Sequence, residues 1–269
     1  MKHLPRLLVS VRSCDEALAA MRGGADFIDV KEPRNGALGR ADWETIHAIG
    51  QCVARHQASR TAFENTPGFS VALGELAEWE GSEGVVSGEL LRESDRLTFV
   101  TPVFFKLGPA HADDWVGNVD AAMGKAARRL QSLVAGPVEP VAVSYADYDR
   151  IHAPAPAVIL QKASLIGIRH FLLDTGIKDS TTLLDWLPVE ELIRLRRAAA
   201  DLGIQFGIAG RLNVGLLEQL TPVSPDIIGV RGAVCQGGDR GSCVTESGVG
   251  EVVEALAAAF GAGTRMTGR

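Results

Sequence analysis

The chain has 269 residues, is 46% hydrophobic and 22% charged, and carries a formal net charge of −6. That length suits one α/β barrel, for which about 250 residues is typical, or two small domains, and the apolar content excludes a disordered chain. A pI near 5.6 excludes the basic footprint of a nucleic-acid binder, and no apolar run approaches the roughly 18 residues of a membrane span.

The first residues, Met1 to Arg6, lead into a strand-like segment without the apolar core and cleavage site of a signal peptide, so a cytoplasmic protein is expected. Residues 7–11 form the first predicted strand. A helix follows, opened by Ser13 as N-cap with Glu16 three residues on, and stopped by Gly23-Gly24. The second strand covers 27–31 and its helix 42–56. The third strand covers 69–74. The fourth covers 102–107, with a helix over 113–134. The fifth covers 140–145, with a helix over 156–165. The sixth covers 170–174, with helical sequence over 188–202. The seventh covers 205–209, with a short helix from Asn213, and the eighth covers 226–230, with a closing helix over 249–260. The third unit is irregular: residues 75–99 are polar and Glu-rich, with room for a helix over 88–96 at most.

Strands that read as continuous apolar runs are those of a parallel sheet buried on both faces. Eight βα units predict a closed (β/α)8 TIM barrel, since a doubly wound sheet usually has fewer strands. No Pro/Ser-rich linker divides the chain, so residues 1–269 are expected to form one catalytic domain.

In such a barrel the chemistry gathers at the C-terminal ends of the strands. The residues there are Ser10 and Arg12, Asp29 and Lys31, Lys106, Tyr145 and Asp147, Asp174 with Lys178 four residues on, Gly210 and Arg211, and Arg231 and Gly232. Lysine usage sharpens this set. Lys+Arg total 27, yet only Lys2, Lys31, Lys106, Lys125, Lys162 and Lys178 are lysines. Arginine keeps its proton under working conditions, whereas a crowded or buried lysine can lose it and attack a carbonyl. Lys31, Lys106 and Lys178 all fall on the predicted active face. Each could also be an ordinary phosphate-binding or salt-bridging cation. A period of two puts Asp29 beside Lys31 on one side of its strand, where Asp29 either serves the chemistry or fixes Lys31. The sixth strand lies opposite the second and carries a similar pair, Asp174 and Lys178.

Anion binding is suggested by two Gly-containing loops, Gly207 to Asn213 after the seventh strand and Val230 to Arg240 after the eighth. These are the places where this fold holds phosphate, with backbone N–H groups and an Arg in each loop. Cys14, Cys52, Cys235 and Cys243 lack CxxC spacing, and the histidines lack ligand spacing, so neither a metal nor a disulfide is expected.

The segments 8–13, 23–33 (GGADFIDVKEP), 35–39, 105–108, 144–147, 173–179 (LDTGIKD), 207–210 and 230–233 together resemble the (5-formylfuran-3-yl)methyl phosphate synthase family. The resemblance spans nearly the whole chain and departs in residues 75–99. It implies a carbon–oxygen lyase of methanofuran biosynthesis, joining two molecules of glyceraldehyde 3-phosphate through a lysine Schiff base without a cofactor. By matching motifs, Lys31 is the Schiff-base lysine, Asp174 and Lys178 an acid/base pair, and Lys106 a further active-site lysine. Asp29, Arg12, Tyr145, Asp147, Gly210, Arg211, Arg231 and Gly232 are expected around the substrate, and a homo-oligomer is the expected assembly. The residues themselves also admit another Schiff-base aldolase of a sugar phosphate, or a barrel that binds a phosphorylated metabolite without chemistry.

Overall fold

A computed structural model describes residues 4–59, 66–79, 96–99, 101–112 and 115–261. Eight parallel strands close into a barrel in chain order: β1 (Arg6–Val11), β2 (Phe27–Val30), β3 (Gly68–Glu75), β4 (Val103–Gly108), β5 (Val138–Tyr145), β6 (His170–Asp174), β7 (Gln205–Ile208) and β8 (Ile227–Val230), which pairs back onto β1. The predicted (β/α)8 barrel is therefore the observed fold. Strand limits shift slightly; β2 ends at Val30, so Lys31 is the first residue past it, and β5 begins at Val138.

Both faces of the strands are covered, which is why they read as apolar runs. Outward side chains such as Val9, Val11, Ile28, Val30, Phe105, Leu173 and Phe206 pack in the large cluster shared with the helices. The inward apolar set is smaller: Leu38, Ala72, Val141, Val143, Tyr145 and Leu172. The inward face also carries polar groups, Ser10, Asp29, Lys106 and Asp174, all buried.

Surrounding the barrel are α1 (Cys14–Arg22), α2 (Trp43–Ala58), α3 (Trp115–Gln131), α4 (Pro156–Leu165), α5 (Leu183–Trp186), α6 (Val189–Asp201), α7 (Leu217–Leu220) and α8 (Glu246–Gly261). Ser13 caps α1 as expected, accepting from the Glu16 amide at 3.2 Å. The helix predicted over 188–202 is α6, preceded by a separate turn, α5, with a Thr182–Asp185 capping box. The short helix from Asn213 is a 3-10 turn, Val214–Leu216, running into the four residues of α7.

The third unit is irregular. After β3 a 3-10 turn spans Leu76–Trp79, and Leu97–Thr98 pairs with Val134–Ala135 outside the barrel. Residues 88–95 of the helix predicted over 88–96 lie outside the described residues. Among the described residues no helix is long and apolar enough to cross a membrane.

At the opposite end from the strand C-termini, Asp26 and Asp226 immediately precede β2 and β8 and do the same work. The Asp26 carboxylate accepts from the Leu7 amide at 2.7 Å, and that of Asp226 from the Phe206 amide at 2.8 Å. Each satisfies a strand-end N–H that the ladder leaves open.

The seam between first and last units is tight. A Cβ on Gly23, at the end of α1, would lie 2.5 Å from the Val249 Cβ and 2.7 Å from the Glu246 carbonyl in α8. Gly23→Ala is expected to destabilise the protein by about 1–3 kcal/mol, seen in denaturant unfolding as a lower midpoint at unchanged slope.

Candidate active site

A cavity of about 590 Å³ opens at the C-terminal end of the barrel. Its floor is made by Ser10, Asp29, Lys31 and Asp174 from β1, β2 and β6, and its walls by Lys178 and the loops after β7 and β8.

Two ion pairs and one unpaired amine organise the floor. Lys106, mid-strand in β4, is wholly buried and reaches Asp29 through its Nζ, whose partner is the Asp29 Oδ1. The other Asp29 oxygen accepts from the Ser10 hydroxyl at 3.2 Å. Asp29 therefore fixes Lys106 rather than Lys31, and Lys106 lies below the cavity and does not line it. Opposite, Lys178 donates to the Asp174 Oδ1 at 2.6 Å, and the Thr175 amide donates to the same oxygen at 2.8 Å. The Asp174 Oδ2 has no protein donor among the described residues. Burial alone would raise the Asp174 pKa, but the charges of Lys178 and Lys31 outweigh it and hold the carboxyl below its ordinary range.

Lys31 stands between the pairs. Its one hydrogen bond among the described residues is a long one, 3.4 Å, to the Ala37 carbonyl. Burial lowers its pKa to about 8; Asp174 and Asp29 oppose the shift, and the charges of Lys178 and Lys106 add to it. Burial thus leads, ahead of the crowding of lysines that the sequence suggested. The result is an amine with a substantial neutral fraction near neutral pH, at the bottom of an open cavity.

The 4-HFC-P synthase family model matches residues 7–253. The chain belongs to the 4-HFC-P synthase family. Its relatives include the (5-formylfuran-3-yl)methyl phosphate synthase of Methanosarcina barkeri, 31% identical over 94% of this chain and 98% of that protein. The synthase of Methanothermobacter thermautotrophicus is 32% identical over 87% of this chain and 91% of its own length. The family resemblance read from the motifs is borne out. A thiamine phosphate pyrophosphorylase from Pyrococcus furiosus shares the fold alone, with a TM-score of 0.54 at 14% identity over 96% of this chain and 97% of that one.

In this member of the 4-HFC-P synthase family the other predicted site residues divide sharply. Gly210, Arg211, Arg231 and Gly232 line the cavity. Gly210 (φ 102°) and Arg211 (φ 54°) are both left-handed, which turns the loop after β7 over the cavity. Arg231, however, is buried and spent. It donates to Glu16 at 2.9 and 3.2 Å, to the Ser10 carbonyl at 2.8 Å and to the Arg240 carbonyl at 2.9 Å. Arg12 is likewise engaged, with Glu16 at 3.3 Å and the Gly241 carbonyl at 2.9 Å.

Tyr145 does not reach the cavity. Its buried hydroxyl donates to Glu75 at 2.7 Å, and burial pushes the phenol well above its usual pKa. Asp147 accepts from the Gly176 and Ile177 amides at 2.5 and 2.8 Å, fixing the turn that presents Lys178. Glu75, at the end of β3 where the irregular segment begins, is absent from the expected set, although its strand-end place is a usable signal.

Removing one partner of a buried ion pair strands the other charge. Lys106→Met is expected to cost about 3 kcal/mol or more, and Lys106→Met combined with Asp29→Asn to recover part of it. Denaturant unfolding of the two single variants and the double variant checks the coupling.

Proposed function

We propose that this chain is a (5-formylfuran-3-yl)methyl phosphate synthase of methanofuran biosynthesis, a lyase that joins two molecules of glyceraldehyde 3-phosphate through an imine on Lys31. The observation that carries this reading is the buried amine of Lys31, unpaired at the cavity floor while Lys106 and Lys178 are each held by a carboxylate. The family membership supplies the product.

A neutral amine attacks the carbonyl of the first triose phosphate, and loss of water leaves the imine. The imine withdraws electrons, so the neighbouring carbon gives up a proton and becomes nucleophilic toward the aldehyde of the second molecule. Asp174 suits the proton transfers. It is buried beside Lys31, is ionised, and keeps one oxygen free of protein donors. Lys178 sits on its other oxygen, as a cation for developing negative charge or as a proton donor to departing water. Loss of phosphate and water, closure of the ring and hydrolysis of the imine then give the furan and free the Lys31 amine.

Phosphate fits between the loops after β7 and β8. The backbone N–H groups of Arg211, Leu212, Gly232 and Ala233 take no acceptor among the described residues. All four belong to residues lining the cavity.

Incubation with glyceraldehyde 3-phosphate alone should yield a product with furan-aldehyde absorbance in the near ultraviolet and the matching mass. A plain aldol would instead support a different Schiff-base aldolase. With borohydride present, the adduct should map to Lys31. Lys31→Arg should keep the fold and the charge and lose turnover almost completely, since a guanidinium does not form the imine. Labelling on Lys178 with Lys31 untouched would overturn the assignment.

The rate of imine trapping should also rise with pH. With a Lys31 pKa of about 8, the neutral fraction grows from about one tenth at pH 7 to half at pH 8 and saturates above. A trapping rate that is flat from pH 6 to 9 would exclude Lys31 as the titrating nucleophile.

A further inference from the structure

Three arginines border the cavity, Arg211, Arg231 and Arg240, and they are not equivalent. Arg231 is used up inside the protein. Arg211 is exposed and donates one Nη to the Asp179 carbonyl at 2.6 Å. Arg240 is half-buried, and its guanidinium has no hydrogen-bond or ion-pair partner among the described residues. Burial disfavours its charge, and the positive charges of Arg231 and Arg211 disfavour it further; of the carboxylates Asp174 alone among its main electrostatic neighbours supports it. A guanidinium so placed has five donors facing a cavity and nothing on them.

The loop that carries Arg240 is fastened at many points. Its base is closed by the Gln236 amide on the Cys243 carbonyl at 3.0 Å. Gly237 and Gly238, at φ 65° and 73°, turn the chain. The Asp239 carboxylate accepts from the Gly241 amide at 2.9 Å. Three consecutive carbonyls, those of Arg240, Gly241 and Ser242, point to the arginines Arg12 and Arg231, which Glu16 holds from beneath. So the backbone on both sides of Arg240 is pinned, while its side chain is left to the cavity. It starts beside Gly232, where an added Cβ would lie 3.9 Å from the Arg240 Cβ. The guanidinium and the free Gly232 N–H therefore serve the same space.

We propose that Arg240 is the side chain that grips the substrate's phosphate group, and that Arg12, Glu16 and Arg231 are positioning residues that set the loop and do not touch substrate. This rests on the phosphate-binding reading of the cavity and names the cation within it. A planar fork on a dianion, completed by backbone N–H groups, gives orientation as well as attraction. That orientation aims the triose carbonyl at Lys31.

The test uses inorganic phosphate as the probe, so that it does not depend on furan formation. Calorimetric titration of the intact protein should show phosphate binding. Arg240→Gln should weaken it about tenfold, and Arg240→Lys should restore part of it, since a point charge replaces the fork. The melting temperature without phosphate should stay unchanged in Arg240→Gln, because the side chain makes no internal bond. Glu16→Gln should lower that melting temperature and weaken phosphate binding together, as loss of a positioning residue would. In turnover, Arg240→Gln should raise KM more than it lowers kcat. Phosphate affinity unchanged in Arg240→Gln, affinity lost in Arg211→Gln instead, or no phosphate binding by the wild type would each overturn the proposal. A wild type that binds phosphate through Arg240 and makes no furan would overturn the furan-forming reading and leave this one standing.

Discussion

The ion pair between Lys106 and Asp29, shut inside the barrel, is what leaves Lys31 alone. Asp29, in β2, is two residues before Lys31 and would be its natural counter-ion. Lys106 reaches across from β4 and takes that carboxylate, and Ser10 takes its second oxygen. On the far wall Lys178 does the same to one oxygen of Asp174. Three lysines thus face two carboxylates at the bottom of the cavity. If all five were charged, the cluster would hold one surplus positive charge with no partner. Loss of one proton removes it, and burial makes the lysine that has only a weak carbonyl contact the easiest to deprotonate.

The same economy appears one layer out. Arg12 and Arg231 share Glu16, whose carboxyl burial would raise but Arg231 holds below its usual range. Both arginines also donate to the carbonyls of the loop after β8. Charge that could have met a ligand is instead invested in backbone position. Loops pinned in this way suit the proposed reaction, in which two substrates are held with their reacting carbons in contact.

The fold was legible because strand spacing and turn residues are local. Ser13, Gly23-Gly24 and the apolar runs mark their elements without help from distant parts of the chain. The central floor was legible too, since period two puts Asp29 and Lys31 together and the scarcity of lysine marks out Lys106 and Lys178. Pairing was not legible. Whether Arg231 is free depends on Glu16, 215 residues away in the sequence. Tyr145 and Asp147 sit at a strand end, yet their partners are Glu75 and two backbone amides. A strand-end position predicts nearness to the mouth, and only the three-dimensional neighbours decide whether a polar group faces the cavity or the scaffold.

Glu16 has one more consequence, in time rather than space. It is buried at the start of α1, and its principal partner, 215 residues further along the chain, lies just past β8 and is made long after it. At about 5–20 residues per second, Arg231 follows on the order of ten to forty seconds later. Until then the buried carboxylate has only Arg12, a partly exposed arginine four residues before it, so the first βα unit has reason to stay open to solvent. Closure of the barrel and completion of the site therefore become one event, gated by the last strand, and a nascent chain that stops short of β8 has neither.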